Sequence, residues 1–525
     1  MRLAVTRLAP IACEAGAEAR AVLLLRAVLL LVGGGYIAAF IGTGVLRALY
    51  PYPLDGLEPG VLVEVKRILA GQQIYGSPSL EYVPYIYGPG FFYAAALVAR
   101  VIGPSMTALR IVSLLASIAS IGLIVGLVRH ETGDLRAGLV SGGLFAACAT
   151  LADHDMDTAR MDALMLALLL AAVYAARSAL LGRASWRTTA CSGAFAGLAL
   201  LTKQSAVPVV VVLLVACLLL RRRLTLAFIA ALVVVLALPL LLLTAQTGGW
   251  ALYYVWDLPR RHTLSPDLVW QFWPDLAGKL TLPLFIAPLY FVARSVSGDR
   301  RRLLFHGLVI VGLIGMSWAQ RTNVGGGLNV ELPALAAISL LFGLGVHEAL
   351  RFSHVAGYRG YVLFLAIAPF LVLIYNPRLT VPYRSDVWAG DRLRATLSAM
   401  PGPIFAGSLS AYVDDSSNAV EPELGAIYEV MGGYADGKLT PEGSRWLTEY
   451  RTALAAQRFT YVLVDPSLSQ FFVAGPAKDN GYVDVGPLFQ PTDEFFLWRT
   501  GWIPEPELLV RKDLVGQPIP LGGTR

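Results

Sequence analysis

Apolar residues fall in long blocks along this chain, and short polar or basic segments separate them. Runs of about 15 to 25 apolar residues recur, the length that carries a helix across ~30 Å of hydrocarbon. The pattern predicts eleven spans, at roughly 21–47, 109–128, 137–152, 160–177, 188–202, 204–220, 224–245, 279–294, 303–320, 330–348 and 360–376. One further apolar stretch, 84–103, is short, rich in tyrosine and broken by Pro84, Pro89 and Gly90. Past residue 377 the blocks shorten and Asp, Glu, Ser, Gly and Pro rise. DRLRATLSAM, PELGAIYEVM and SRWLTEYRTALAAQ have helical spacing there, and PIFAGS and TYVLVDP read as short buried strands. Helix and strand alternate, so the pattern predicts a polytopic α-helical membrane domain over 1–377 and a small α/β domain over 378–525.

Charge settles the orientation and the ambiguous stretch. With 84–103 lying at the surface as a juxtamembrane or re-entrant helix, one set of loops collects Arg2, Arg7 and Arg20, then Arg129 and Arg136, Arg183 and Arg187. The same set goes on to Arg221, Arg222 and Arg223, to Arg300, Arg301 and Arg302, and to Arg351 and Arg359. Basic loops stay on the cytoplasmic side. The N-terminus is therefore expected inside a cytoplasmic membrane, and the C-terminal domain outside it. The outer loops are then 48–108, 153–159, the turn at Lys203, 246–278 and 321–329. A transporter more often keeps its ionisable groups at mid-membrane depth. Here they gather at one interface, as a surface site requires.

Composition agrees with a membrane protein. Of 525 residues, 56% are hydrophobic and only 15% charged, too much apolar surface for a soluble fold to bury. The net charge of +6 sits in short clusters between spans, so no nucleic-acid surface is indicated. Four cysteines, Cys13, Cys148, Cys191 and Cys217, form no CxxC pair, so neither a disulfide framework nor a zinc site is indicated. No small-residue cleavage site clearly ends the first apolar run, which reads as an uncleaved span.

Five polar constellations interrupt the apolar pattern, all in the outer set. Asp55 and Glu58 precede EPGVLVEVKRILAGQQIY, whose Val61, Leu62, Val65, Ile68 and Leu69 have helical spacing. The two acids either cap that helix or serve as a base or metal-binding pair. ADHDMDTARMD packs Asp153, His154, Asp155, Asp157, Arg160 and Asp162 into one short loop. It is either a polar turn, a divalent-cation site (Mg or Mn) with Asp155 and Asp157 as ligands, or a hydroxyl- and phosphate-binding loop through Arg160. Lys203 in GLALLTKQSAVP either snorkels or holds a lipid phosphate. Arg260, Arg261 and His262 lie among Tyr253, Tyr254 and Trp256, as an interfacial anchor or an anionic-headgroup site. RTNVGGGLNVELP, with Asn323 and Asn329, is a flexible turn or a close-approach loop for phosphate or sugar.

In order and topology these motifs resemble the integral-membrane glycosyltransferases of the GT-C superfold. The closest likeness is to the bacterial protein-mannosyltransferase-like and aminoarabinose-transferase-like branch, over roughly 20–376. Glu58, Gly71 and Tyr75 fit the family's first-loop acid and amphipathic helix, but Leu57 stands where a second acid is expected and Asp55 lies two positions earlier. YVPYIYGPG, with Tyr87, resembles its Pro-rich juxtamembrane segment. Arg160-Met161-Asp162 resembles its second acidic motif, GLALLTKQ its Gly-then-Lys turn, and GGGLNVELP, with Asn329, a late outer loop. The resemblance implies a polyprenyl-phosphate-linked sugar as donor. Lys203, with Arg160, Arg261 or His262, would bind its phosphate, and Asp55 or Glu58 would deprotonate an acceptor hydroxyl with inversion, Asp162 being the second catalytic acid. Tyr75, Tyr87 and Asn329 are the expected substrate contacts. No cofactor is required, and family members differ over a divalent metal. An extracytoplasmic glycan, lipid or protein is the expected acceptor, and membrane lipids are the other partners. The rival readings are a transporter or flippase of a lipid-linked substrate and a non-catalytic scaffold.

Overall fold

The structure is a computed structural model that describes residues 5–353, 356–413, 419–420, 422–435, 438–464, 470–488 and 507–516. Arg2 and the Asp465–Pro466 end of the TYVLVDP segment lie outside the described residues. The chain starts with the long helix α1 (Val5–Ala48). A loop then leads to α2 (Glu58–Leu69) and α3 (Gly90–Ile102). The bundle continues through α4 (Met106–Thr132), α5 (Leu135–Ala147), α6 (Met161–Leu181), α7 (Trp186–Thr202), α8 (Val207–Arg221) and α9 (Thr225–Gln246). After the single turn α10 (Trp250–Leu252) come α11 (Pro266–Lys279), α12 (Thr281–Ile286), α13 (Pro288–Val296), α14 (Arg300–Arg321), α15 (Leu332–Phe352) and α16 (Ala356–Val372).

The protein is a multi-pass membrane protein, but its helices do not yield eleven spans by length and composition. Among the described residues eight helices are long and apolar enough to cross, or nine if α11 and α12–α13 count as one broken span. Two features account for the difference. Helix α7 is only 17 residues and carries Arg187, Thr188, Thr189 and Ser192 in its first turns. Helices α8 and α9 form one apolar run of 43 residues, from Gln204 to Gln246. That run folds back at its arginines. Arg221 donates to the carbonyls of Leu180 and Gly182 at the end of α6, so α8 runs parallel to α6. Gly193 and Gly197 of α7 lie against Phe228 and Leu232 of α9, in the same direction.

The region 246–278, expected as a loop, contains all but the last residue of α11, which meets α12–α13 at an angle of 89°. At 13 residues α3 is too short to cross a bilayer as one straight helix.

Beyond α16, the C-terminal part holds α17 (Arg384–Ala399), α18 (Leu424–Val430), α19 (Pro441–Ala455) and α20 (Gly475–Asp479). They surround strands β1 (Ile404–Phe405), β2 (Ala419–Val420), β3 (Tyr461–Val464), β4 (Tyr482–Pro487) and β5 (Glu507–Arg511), in the order β2-β1-β3-β5-β4. Strand β1 pairs parallel with β2 and β3, and β5 pairs antiparallel with β3 and β4. This sheet does not stand apart from the bundle. Tyr52 of the first loop stacks on Tyr412 at 5.0 Å, and Trp446 Nε1 donates to the Ser79 carbonyl at 3.0 Å. The first loop, α2, α3 and the C-terminal helices share apolar cores, with Val61, Val65, Phe91 and Phe92 packed in one cluster with Phe405 and Trp446.

Candidate active site

Alternating helix directions bring the N-termini of α4 and α6 and the C-termini of α1, α7, α9 and α14 to one end of the bundle. The first loop, the 153–159 turn, Lys203, residues 253–265 and the GGG turn all lie there. Ion pairs fasten this end. Glu58 is fully buried at the start of α2 and takes both prongs of the Arg110 guanidinium, Nε at 2.8 Å and Nη2 at 2.5 Å. It also accepts from the backbone N–H groups of Leu54 and Ala159, at 2.7 and 2.8 Å. Arg110 spends its remaining donors on the carbonyls of Arg47, Tyr50 and Tyr52. Burial alone would raise the Glu58 pKa, but Arg110 and the two N–H donors outweigh it and hold the carboxyl below its usual range. The pair thus binds the first loop to α4 and to the 153–159 turn.

Asp55 has a different setting. Its Oδ1 accepts from Leu57 N–H at 2.8 Å, and its Oδ2 pairs with Arg160 Nη2 at 2.5 Å. Arg160 sits just before the first residue of α6 and also faces Asp155, Nε to Oδ1 at 3.6 Å. Burial, opposed by Arg160 and reinforced by the charges of Asp55, Asp162 and Asp153, pushes Asp155 well above the usual carboxylate range. In the first turn of α6, Asp162 accepts from Lys203 Nζ at 2.7 Å. Lys203 ends α7, and its ammonium lies 5.8 Å from the centre of the Tyr87 ring. The approach is made by Gly88, whose backbone lies so near the Leu201 carbonyl that a Cβ would fall 2.0 Å from that oxygen.

These groups border a cavity of about 570 Å³. Tyr87, Arg160 and Lys203 form one side, and Gly325 to Gly327 and Asn329 form another. Arg260 and His262 stand beside the glycine turn, and the C-terminal part closes the space with Glu429 and Tyr434. Backbone bonds clamp this far wall together. Thr263 N–H donates to the Tyr434 carbonyl at 3.0 Å, and Val324 N–H donates to the Thr263 carbonyl at 2.9 Å. His262 Nε2 meets Glu429 Oε2 at 2.7 Å. Burial raises the Glu429 pKa, against the pull of His262.

Of the expected site residues, Arg160, Lys203, His262, Tyr87 and Asn329 line the cavity, while Asp55 and Asp162 sit directly behind its two cations. Others stand elsewhere. Glu58 is sealed behind Arg110 and faces no open space. Tyr75 is wholly buried, its hydroxyl donating to the Tyr87 carbonyl at 2.7 Å, so it supports the wall from behind. Arg261 turns onto the Tyr253 ring, 6.0 Å from its centre, and its neighbour Arg260 takes the cavity position. Asp155 and Asp157 do not share a site, because Asp157 turns to Arg47 at 2.7 Å and Asp155 to Arg160. Asp55, Asp155, Asp157 and Asp162 each face an arginine or lysine. Among the described residues no three His, Cys, Asp or Glu side chains come together to hold an ion. Glu429 and Tyr434 were not singled out from the sequence. Glu429 comes from a segment legible only as a helix and Tyr434 from the turn after it, and nothing local marks which of their faces meets a loop nearly 170 residues away.

Comparison with known proteins places this arrangement. A family model described as dolichyl-phosphate-mannose-protein mannosyltransferase matches residues 84–244. A search of curated proteins finds no match. Two solved structures of ArnT from Cupriavidus metallidurans align over nearly the whole chain. The form bound to undecaprenyl phosphate is 13% identical, with 94% of this chain and 99% of that one covered and a TM-score of 0.58. The apo form is 14% identical, with 92% and 99% covered and a TM-score of 0.59. At such identities the likeness is one of fold. The chain has the ArnT-like GT-C fold: a helical membrane bundle with a small C-terminal sheet.

Proposed function

We propose that the protein is a glycosyltransferase that moves a sugar from a polyprenyl-phosphate donor to an acceptor hydroxyl outside the cytoplasmic membrane. The observation that carries this reading is the convergence of Arg160 and Lys203 on one cavity at the membrane-surface end of the bundle, with Asp55 directly behind Arg160. Such a donor keeps its tail in the bilayer and presents phosphate and sugar at the surface. The PMT-type match over 84–244 and the undecaprenyl phosphate bound to the ArnT structure support the same donor class. The basic clusters on the opposite loops support an N-terminus inside and a catalytic face outside.

The chemistry follows from the charges. Arg160 and Lys203 hold the donor phosphate, one as a fork and one as a point charge. The sugar extends toward Asn329 and the GGG turn, whose small residues let it approach the backbone. Asp55, released as Arg160 turns to the donor phosphate, takes the proton from the acceptor hydroxyl. The hydroxyl oxygen forms a bond to the anomeric carbon as that carbon's bond to the phosphate oxygen breaks, and the configuration inverts. The proton ends on Asp55 and the lipid phosphate leaves as an anion. The two cations, already oriented by Asp55 and Asp162, stabilise the charge that develops on it. Glu58 is assigned a positioning role, since its carboxylate is committed to Arg110. The test is transfer by the purified full-length protein from radiolabelled polyprenyl-phosphate sugars to a membrane extract supplying acceptors. Turnover with one such donor is expected. Binding of polyprenyl phosphate without turnover, for every donor offered, would move the reading to a transporter of lipid-linked substrates.

A further inference from the structure

At the other end of the bundle a second cavity, of about 220 Å³, opens between α1, α5, α15 and α16. Its charged rim carries Arg26, Arg136 and Arg351, with Asp134 and His347 beside them, and its walls are apolar. Its origin is a helix crossing. Gly33 of α1 and Gly143 of α5 touch backbone to backbone, so closely that a Cβ on Gly143 would lie 2.6 Å from the Gly33 Cα. The two helices run the same way and splay below the crossing. Arg26 and Arg136 each lie seven residues, two helical turns, below their glycines, and both line the wedge.

The position of the wedge defines what can enter it. From Arg26 to Arg47, which is tied into the candidate active site, α1 runs 21 residues, or ~31 Å at helical rise. That is one hydrocarbon thickness, so the wedge lies at the opposite headgroup level. The surface flanking it is lipid-facing: Leu23, Leu24 and Leu31 of α1 and Phe364 of α16 are exposed, with Tyr358 and Tyr361 near the rim as interfacial anchors. The arginines are not consumed by the fold. Among the described residues the side chains of Arg26 and Arg136 have no ion-pair partner, and Arg351 reaches only Glu348, at 3.7 Å, with its side chain 65% exposed. The one carboxylate on the rim, Asp134, faces His347 at 3.7 Å. Among the described residues, Asp134 and the Glu348 that Arg351 reaches are the carboxylates set against three guanidiniums, which leaves a positive excess at the rim.

We propose that this wedge is a binding site for an anionic phospholipid of the opposite leaflet. The headgroup phosphate lies among the three arginines, and an acyl chain lies along Leu29, Leu30 and Leu363. Basic pockets between membrane helices bind such headgroups at this depth, at about 1 kcal/mol per basic residue. The apolar wall, continuous with the lipid-facing surface, selects a lipid over free phosphate. The site is separate from the proposed transfer reaction and does not depend on it.

The test is native mass spectrometry of the full-length protein titrated with phosphatidylglycerol, phosphatidylcholine and inorganic phosphate. One phosphatidylglycerol is expected to bind saturably, and Arg26→Gln, Arg136→Gln and Arg351→Gln are each expected to weaken it on the order of fivefold. Leu30→Trp, which fills the wedge and keeps every charge, is expected to abolish the bound lipid. Phosphatidylcholine binding as tightly as phosphatidylglycerol would overturn the proposal. So would competition by inorganic phosphate at equal concentration, or unchanged phosphatidylglycerol binding in both Arg26→Gln and Leu30→Trp.

Discussion

Glu58→Gln and Asp55→Asn each replace one carboxylate in the same loop, three residues apart, and the structure assigns them opposite consequences. Glu58 is fully buried and receives four hydrogen bonds, two from Arg110 and two from backbone N–H groups. An amide in its place removes the charge facing a wholly buried guanidinium and turns an N–H₂ toward groups that can only donate. Breaking a buried pair in this way costs ~3–5 kcal/mol, a large fraction of the ~5–15 kcal/mol that holds a folded domain together. The loss falls on folding, since Arg110 and Glu58 join the first loop to α4 and the 153–159 turn. Asp55→Asn is milder for the fold. Asparagine keeps an oxygen for Arg160, and Arg160 retains Asp155 and an edge on the cavity. Its cost falls on the chemistry, where a positioned base contributes ~10²–10⁴-fold. Thermal melts by size exclusion in detergent, run beside transfer assays, separate the two. Glu58→Gln should melt well below wild type and lose activity in proportion to the folded fraction. Asp55→Asn should melt close to wild type and turn over at least ~100-fold more slowly. A Glu58→Gln protein that melts normally yet fails to transfer, while Asp55→Asn stays active, would refute the assignment.

Other outcomes follow from the same geometry. Lys203→Gln keeps a hydrogen bond for Asp162 but removes a phosphate charge, so kcat should fall ~10²–10³-fold in single-turnover assays with the protein still folded. Glu64, fully buried on α2, shares the Tyr82 hydroxyl with the Ile74 carbonyl, and one phenolic proton cannot serve two acceptors. Burial pushes its pKa up to about 8, so it is protonated and supplies the missing donor. The folded state therefore holds a proton the unfolded chain releases near its ordinary value of 4.5, and stability should fall as pH rises from there to about 8, then level off. Melting wild type and Glu64→Gln between pH 6 and 9 checks this, since the amide should flatten the dependence. Gly325 has φ of +89°, and a Cβ there would meet the Tyr434 ring at 2.5 Å. Gly325→Val should push Tyr434 off the cavity wall and lower transfer more than it lowers the melting temperature.

Much of the bundle was legible because lipid imposes a simple rule: long apolar blocks become helices, and arginine clusters mark one side. The helix boundaries were legible too, since α7, α8 and α9 begin and end within about three residues of the expected 188–202, 204–220 and 224–245. The reading missed α11, which meets the next helices at 89° within a stretch that reads as loop. At the site, residue type pointed to the right neighbourhood but not to the partner of each acid. Asp55 and Glu58 look alike in sequence. Only the fold shows that Arg110, in the first turns of a span and unremarkable there, occupies Glu58 and leaves Asp55 beside Arg160. The same holds for Glu429 and Tyr434, whose segment is held at the cavity by His262 and Thr263. Long-range pairing of this kind leaves no local periodicity to read.

The most direct measurement is single-turnover consumption of a radiolabelled polyprenyl-phosphate sugar by the purified protein, wild type against Asp55→Asn, with acceptor in excess. The account predicts sugar transfer and release of polyprenyl phosphate by wild type, and folded Asp55→Asn protein that binds the donor but consumes it at least ~100-fold more slowly. Equal consumption by both, or donor that wild type binds and never consumes, would contradict it.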